Sequence, residues 1–76
     1  MKQTLSSVSR IYKPSKTDSS GKAWRVVENR TPDTNQIINY SLQVYSPSYG
    51  RWYNMQAYLN ADSAVREYER NTGSIQ

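Results

Sequence analysis

The sequence predicts an α+β domain, in which an antiparallel sheet of three or four strands, arranged as a meander, carries one C-terminal helix packed on one face. Three segments alternate between apolar and polar residues, as half-buried strands do, and turn sequences separate them. After residue 60 the apolar spacing changes to that of a helix. The 76 residues are enough for one domain with a thin core.

Residues 22–29, KAWRVVEN, form the first strand of the predicted meander. Alternation gives this strand two faces, with Trp24 and Val26 on one and Arg25 and Val27 on the other. The segment 30–35 then makes a turn, because Pro32 presets φ at the first central position and Asp33 suits the next.

Residues 36–46 and 51–59 supply the next two strands, which the turn PSYG at 47–50 joins. One alternating set is expected to face the core: Trp24, Val26, Ile38, Tyr40, Leu42, Val44, Tyr53, Met55, Ala57 and Leu59. The opposite set is expected to form an uncovered face: Arg25, Asn29, Asn39, Gln43, Tyr45, Trp52, Asn54, Gln56 and Tyr58. A slip of one residue in register would exchange the two sets.

Residues 60–73 predict the helix, whose apolar stripe consists of Ala61, Ala64, Val65 and Tyr68. Asn60 suits the N-cap and Gly73 the C-terminal end. Two ion pairs are expected along the helix, Asp62 with Arg66 at i,i+4 and Glu67 with Arg70 at i,i+3. The β-β-β-α domain therefore spans residues 22–73, and 74–76 form a short tail.

Residues 1–21 are predicted to be a basic N-terminal segment made of a candidate edge strand and a loop. Val8, Arg10 and Tyr12 alternate, and a cation suits an edge strand. Residues 13–21, KPSKTDSSG, indicate a loop, because proline, glycine and small polar residues leave nothing to pack.

The positive charge is concentrated in the first 30 residues. They hold seven basic and two acidic residues, a net +5, whereas the remaining residues hold three basic and four acidic, a net −1. Such a patch favours a phosphate backbone or an acidic protein surface, with Arg10, Lys13, Lys16 and Lys22 as the contacts. Charge of this size is also what a small domain needs for solubility, so both interpretations stay open.

The residue types argue against catalysis. The chain has no cysteine and no histidine, the usual nucleophile, general base and metal ligands. Its three glycines are isolated, so no glycine-rich phosphate loop is present. We expect no cofactor, no metal and no enzymatic activity. Without a signal sequence, a membrane span or cysteine, we expect a cytoplasmic protein.

Five of the nine aromatic residues lie between positions 45 and 59. Aromatic rings, amides and arginine are typical of interface hot spots and of sheets that stack nucleic-acid bases. The candidate partner-binding residues are Arg25, Asn39, Gln43, Tyr45, Tyr49, Arg51, Trp52, Asn54, Gln56 and Tyr58. Cross-strand aromatic pairs also stabilise sheets without any partner, and the N-terminal segment could cover this face, so a purely structural role remains an alternative.

The β-β-β-α order over residues 22–72, with the strand-to-helix junction YLNADSAVREY, resembles the AP2-type and integrase arm-binding domains. Those domains lay a three-stranded sheet into the DNA major groove. The resemblance implies base contacts from Arg25, Asn39, Gln43, Asn54 and Gln56, with phosphates held by Lys13, Lys16 and Lys22. The chain departs from the pattern because its second and third strands offer a single cation, Arg51.

In size and style the chain is similar to the accessory proteins of bacteriophages and mobile elements, of which anti-CRISPR proteins are one group. No sequence motif carries this likeness, so it assigns no residues. It implies an inhibitor or adaptor that docks its aromatic and amide face on a host nucleoprotein complex, in the cytoplasm of a bacterial host. A homodimer formed through the exposed sheet is a further alternative.

Overall fold

The computed structural model of the chain describes residues 8–73, which fold into a four-stranded antiparallel sheet with one helix packed on it. The elements are β1 (Val8–Thr17), β2 (Ala23–Arg30), β3 (Ile37–Ser46), β4 (Arg51–Tyr58) and α1 (Ala61–Thr72). The strands lie in sequence order, so the predicted meander is confirmed, with β1 and β4 at its edges. Residues 1–7 of the N-terminal segment and the predicted tail 74–76 lie outside the described residues.

The central strands β2 and β3 pair as the alternation predicts. Trp24 lies opposite Val44, and Val26 lies opposite Leu42. These residues face the helix, where the core consists of Trp24, Val26, Tyr40, Leu42, Ala64 and Tyr68. We call this side of the sheet the helix face and the other side the open face.

The edge strand β4 contains a bulge that the sequence analysis does not anticipate. The register shifts by one residue at Met55: Asn54 lies opposite Gln43, whereas the next pair along β3 is Leu42 with Gln56. An extra residue of this kind exchanges the two faces of the strand beyond it. The assignment of Gln56 and Tyr58 to the uncovered face is therefore wrong, because both lie on the helix face. The assignment of Ala57 to the core is also wrong, because it lies on the open face opposite Ser41.

The N-terminal strand β1 is longer than predicted and pairs at the edge of the sheet rather than covering its face. It continues to Thr17, so the expected loop at 13–21 shrinks to residues 18–22. Pro14 is tolerated because an edge strand has one row of backbone groups outside the ladder. The turn is held by Asp18, whose carboxylate accepts the Trp24 indole N–H at 2.8 Å and the Lys22 backbone N–H at 2.9 Å.

Helix α1 begins and ends where the sequence predicts. The Asn60 side chain accepts the Ser63 backbone N–H at 2.9 Å, and Gly73 ends the helix in the left-handed conformation at φ 77°. Of the two expected ion pairs, Glu67–Arg70 forms at 3.0 Å, and no Asp62–Arg66 bridge occurs within residues 8–73.

Several residues expected in the core are exposed. Leu59 is 88% exposed and Met55 is 55% exposed, and Ile38, Tyr53 and Ala57 are also outside the core. A single 12-residue helix covers the middle of the sheet and leaves most of the edge strand β4 in solvent. Leu59 lies beyond the end of β4, and Met55 is the bulge residue. Conversely, Val27, Ser41 and Glu28 are buried without having been expected in the core.

Candidate functional site

The open face is the side of the sheet that the helix leaves uncovered. By the pairing register it carries side chains from all four strands: Ser9, Ile11, Arg25, Val27, Asn29, Asn39, Ser41, Gln43, Tyr45, Trp52, Asn54 and Ala57. None of these is a carboxylate, and Arg25 is the one cation among them. The face is therefore rich in amides and hydroxyl groups, with aromatic rings at one end.

The aromatic end of the open face is a packed cluster of three side chains. The Arg25 guanidinium carbon lies 4.1 Å from the centre of the Trp52 ring, and Tyr45 meets Trp52 edge to face at 5.3 Å. The cation lies over the electron-rich face of the indole, which favours the contact. Burial lowers the pKa of the Arg25 guanidinium, but arginine remains charged at neutral pH. All three residues were predicted for this face.

A hydrogen-bonded chain runs from this cluster across three strands. Arg25 Nε on β2 donates to Gln43 Oε1 on β3 at 2.7 Å, and Gln43 Nε2 donates to Asn54 Oδ1 on β4 at 2.7 Å. The bonds cross the strands because these residues are direct partners in the register. Three predicted site residues are thus held in fixed orientations.

A second network lies toward the other end of the face and is organised by Asn29. Its Oδ1 accepts the Ser9 hydroxyl at 2.8 Å, while its Nδ2 donates to Asn39 Oδ1 at 2.7 Å and to Ser41 Oγ at 2.9 Å. The predicted partner-binding residues did not include Ser9, Asn29 or Ser41. The alternation in β3 already places Ser41 on the same face as Asn39 and Gln43. The position of Ser9 on this face depends on the pairing of β1 with β2, which local alternation does not reveal.

Between the two networks lies a concavity of about 340 Å³. Its lining is mostly polar and comes from all four strands: Ser9, Asn29, Ile38, Asn39, Ser41, Gln43, Asn54 and Ala57. Ile38 and Ala57, both assigned to the core by the sequence, form its apolar part. The arrangement presents a shallow polar surface with fixed hydrogen-bonding groups.

Four of the predicted partner-binding residues belong to the helix face or its rim. Tyr49, at the tip of the β3–β4 turn, is 75% exposed and packs on Tyr53 at 6.0 Å. Arg51 also lies against Tyr53, with 5.3 Å between the guanidinium carbon and the ring centre. Gln56 and Tyr58 lie on the helix face of β4. The sheet itself therefore separates all four predicted residues from the cluster at Trp52.

The predicted phosphate or acidic-patch contacts do not extend the open face. By their Cα register, Arg10, Lys13 and Lys16 of β1 lie opposite residues of the helix face, and Lys22 lies in the turn before β2. The structure thus separates the basic residues from the amide-rich surface, although the sequence placed both in one nucleic-acid site.

Within residues 8–73, no cluster of three potential metal-binding side chains occurs, and no helix is long and apolar enough to cross a membrane. The fold and the face define an α+β domain with one helix-covered and one uncovered sheet surface. No protein-family model, curated protein or solved structure matches this chain.

Proposed function

We propose that the chain is a small non-catalytic binding protein that docks its open face on another protein. In this proposal it acts as an inhibitor or adaptor of the phage accessory type and blocks a host nucleoprotein complex, as anti-CRISPR proteins do. The observation that carries the proposal is the Arg25–Trp52–Tyr45 cluster on an uncovered sheet face. Tryptophan, tyrosine and arginine are the residue types that dominate interface hot spots.

The rest of the open face supports a protein partner over a phosphate backbone. Interface cores are depleted in lysine, aspartate and glutamate, and among residues 8–73 none of these lies on this face. The amides are held by hydrogen bonds before any partner arrives, which lowers the entropy that binding would cost. A standard interface of about 800 Å² would cover about 15% of the 5248 Å² accessible surface, so the open face is large enough to supply one.

The position of the cations weighs against nucleic acid as the direct ligand. Lysine and arginine that neutralise phosphates supply much of the affinity for nucleic acid, so cations on or beside the same face favour a sheet that reads bases. Here Arg10, Lys13 and Lys16 are in register with the helix face. In the proposed mode they would instead contact an acidic patch, or bound RNA, at the border of the docked surface. Such a role suits the cytoplasm of a bacterial host.

The proposal is tested by affinity capture from a nuclease-treated bacterial lysate. Wild type is compared with Trp52→Ala, which removes the centre of the aromatic cluster, and with Tyr49→Ala, which removes an exposed ring from the opposite rim. We expect a defined host complex to be retained by wild type and Tyr49→Ala and lost with Trp52→Ala. Each variant's fold is checked by circular dichroism. Equal capture by all three variants would show that the open face is not the docking surface.

Inhibition is tested separately, because capture alone does not demonstrate it. The chain is expressed in bacteria whose CRISPR nuclease targets an incoming phage. Wild type and Tyr49→Ala are expected to restore plaque formation, and Trp52→Ala is not. Unchanged immunity in the presence of a captured partner would leave an adaptor role and contradict the anti-CRISPR-like one.

Direct recognition of DNA or RNA is the alternative, favoured by the net charge of +4 and the half-exposed Trp52 ring. It predicts quenching of Trp52 fluorescence by short single-stranded DNA, duplex DNA or RNA. Binding that depends on phosphates should weaken by orders of magnitude between about 50 and about 200 mM salt. Quenching with this salt dependence would replace the protein-docking proposal.

A further inference from the structure

The concavity on the open face offers hydrogen-bond donors far more readily than acceptors. The Arg25 guanidinium can only donate, so Gln43 must turn its oxygen toward Arg25 and its nitrogen toward Asn54. Asn54 must then accept through Oδ1, which leaves its Nδ2 outside this series of hydrogen bonds. Reversing the side-chain amide of Gln43 or of Asn54 would place one N–H group against another. Arg25 therefore sets the donor-to-acceptor direction of both hydrogen bonds.

The network around Asn29 has the same polarity. Asn29 Oδ1 is occupied by the Ser9 hydroxyl, and Asn39 Oδ1 is occupied by Asn29 Nδ2. Each of the four amide oxygens of the lining therefore already accepts one hydrogen bond inside the protein. The side-chain Nδ2 groups of Asn39 and Asn54 donate to no residue within 8–73.

We propose that this concavity is a binding site for a carboxylate, supplied by an aspartate or glutamate side chain of the partner protein. The inference rests on the proposed function and specifies the chemistry of the partner. Two primary amides offer N–H donors, the Arg25 charge lies one residue away through Gln43, and the lining contains no acidic side chain. Hydrogen bonds from these donors to an anion are stronger than bonds to a neutral oxygen.

The remaining lining suits the rest of such a side chain. Ile38 and Ala57 provide the apolar wall, on which the methylene groups of a glutamate can lie. The concavity is about 340 Å³, which is large enough for one side chain. The aromatic cluster at Trp52 would anchor the surrounding partner surface, and the carboxylate would fix its register.

The site is tested by NMR with a matched pair of probes that differ in the side-chain terminal group. N-acetylglutamate N-methylamide carries the carboxylate, and N-acetylglutamine N-methylamide carries the neutral amide. At constant ionic strength, we expect the first to shift the side-chain N–H₂ resonances of Asn39 and Asn54 in a saturable way, with millimolar affinity. The glutamine compound is expected to bind at least about tenfold more weakly. Equal shifts with both compounds, or no saturable shift with the first, would overturn the inference.

Asn54→Asp is the decisive variant, because it keeps an oxygen for Gln43 Nε2 and replaces the outward N–H₂ with a negatively charged acceptor. It should lower the affinity for the glutamate compound by more than about tenfold while the backbone spectrum remains that of a folded protein. Tyr49→Phe, outside the concavity, should bind as wild type does. Unchanged binding by Asn54→Asp would show that the donor polarity does not select the ligand.

The failure of this inference can be separated from failure of the proposed function. If Trp52→Ala abolishes capture of the host complex while Asn54→Asp captures it normally and the glutamate compound does not bind, protein docking stands and the carboxylate site falls. If inorganic phosphate shifts Asn39 and Asn54 and the glutamate compound does not, the site is one for phosphate and the carboxylate inference falls, while capture with Trp52→Ala still decides the docking proposal.

Discussion

The hydroxyl group of Tyr68 on helix α1 donates a 2.7 Å hydrogen bond to the backbone carbonyl of Pro14 in edge strand β1. The two residues are 54 positions apart, and the bond joins the last element of the fold to the first. Because Tyr68 is buried in the core while its hydroxyl reaches the edge, one side chain both packs against the sheet and holds β1 beneath the helix.

Replacing Tyr68 with phenylalanine removes this hydrogen bond and leaves the core packing in place. We expect the free energy of unfolding to fall by about 1 kcal/mol, the usual value for one such bond. Urea denaturation followed by circular dichroism measures the change. Tyr49→Phe is the matched control, because Tyr49 is exposed at a turn, and its effect should stay within about 0.5 kcal/mol. Equal losses in both variants would show that the bond contributes nothing specific.

Acid should destabilise the protein partly through Asp18. The pKa of this carboxyl is held far below its usual range, first by the hydrogen bond from the Trp24 indole and then by the Ser20 hydroxyl. A lowered pKa in the native state means that the contribution is present above the unfolded-state pKa of about 4 and is lost as pH falls toward the native value. We expect the melting temperature to drop steadily below about pH 4.

Asp18→Asn tests the assignment, because an amide offers one acceptor oxygen where the carboxylate offers two, and the Trp24 N–H then lacks a partner. The variant should melt at a lower temperature than wild type at neutral pH, with a shallower dependence below about pH 4. Thermal melts across this range measure both quantities. The same acid slope in variant and wild type would assign the effect to other carboxyl groups.

Core and exposed leucines should differ sharply, although the sequence assigns both to the core. Leu42 is 3% exposed, and Leu59 is 88% exposed. Leu42→Ala should cost about 2–5 kcal/mol, because it removes buried methyl groups and leaves a cavity. Leu59→Ala should change stability by less than about 0.5 kcal/mol. Thermal melts of the two variants make the comparison, and a large loss for Leu59→Ala would indicate that the end of β4 packs against something.

The contact between Arg25 and Trp52 should be measurable as a coupling energy. A double-mutant cycle with Arg25→Ala and Trp52→Ala is expected to give about 0.5–1 kcal/mol, the range for a cation over an aromatic ring near the surface. The exposed pair Arg51 and Tyr53, at the longer distance of 5.3 Å, is the control and should give less. Chemical denaturation of the four proteins in each cycle provides the values. A coupling energy near zero for Arg25 and Trp52 would mean that the stacked geometry is not maintained in solution.

The sequence predicted the strands β2, β3 and β4 and the helix within a few residues, because alternation, turn residues and caps are local signals. It also assigned seven residues correctly to the uncovered face, which the structure brings together: Arg25, Asn29, Asn39, Gln43, Tyr45, Trp52 and Asn54. The prediction failed beyond Met55, because a single extra residue reverses the face assigned to every later residue of the strand. The apolar–polar alternation of the sequence does not reveal such a bulge.

By itself, therefore, the sequence determined the element order, the central core and most of the uncovered face, since each depends on the spacing of residues along one strand or helix. Only the tertiary structure decided how far β1 extends, on which face its cations lie, and that Tyr68 holds β1 through Pro14. It also decided that Arg25 orients the amides at the concavity. The physical reason is that strand register and side-chain hydrogen bonds arise between segments far apart in the chain, and local patterns do not encode which atoms will meet.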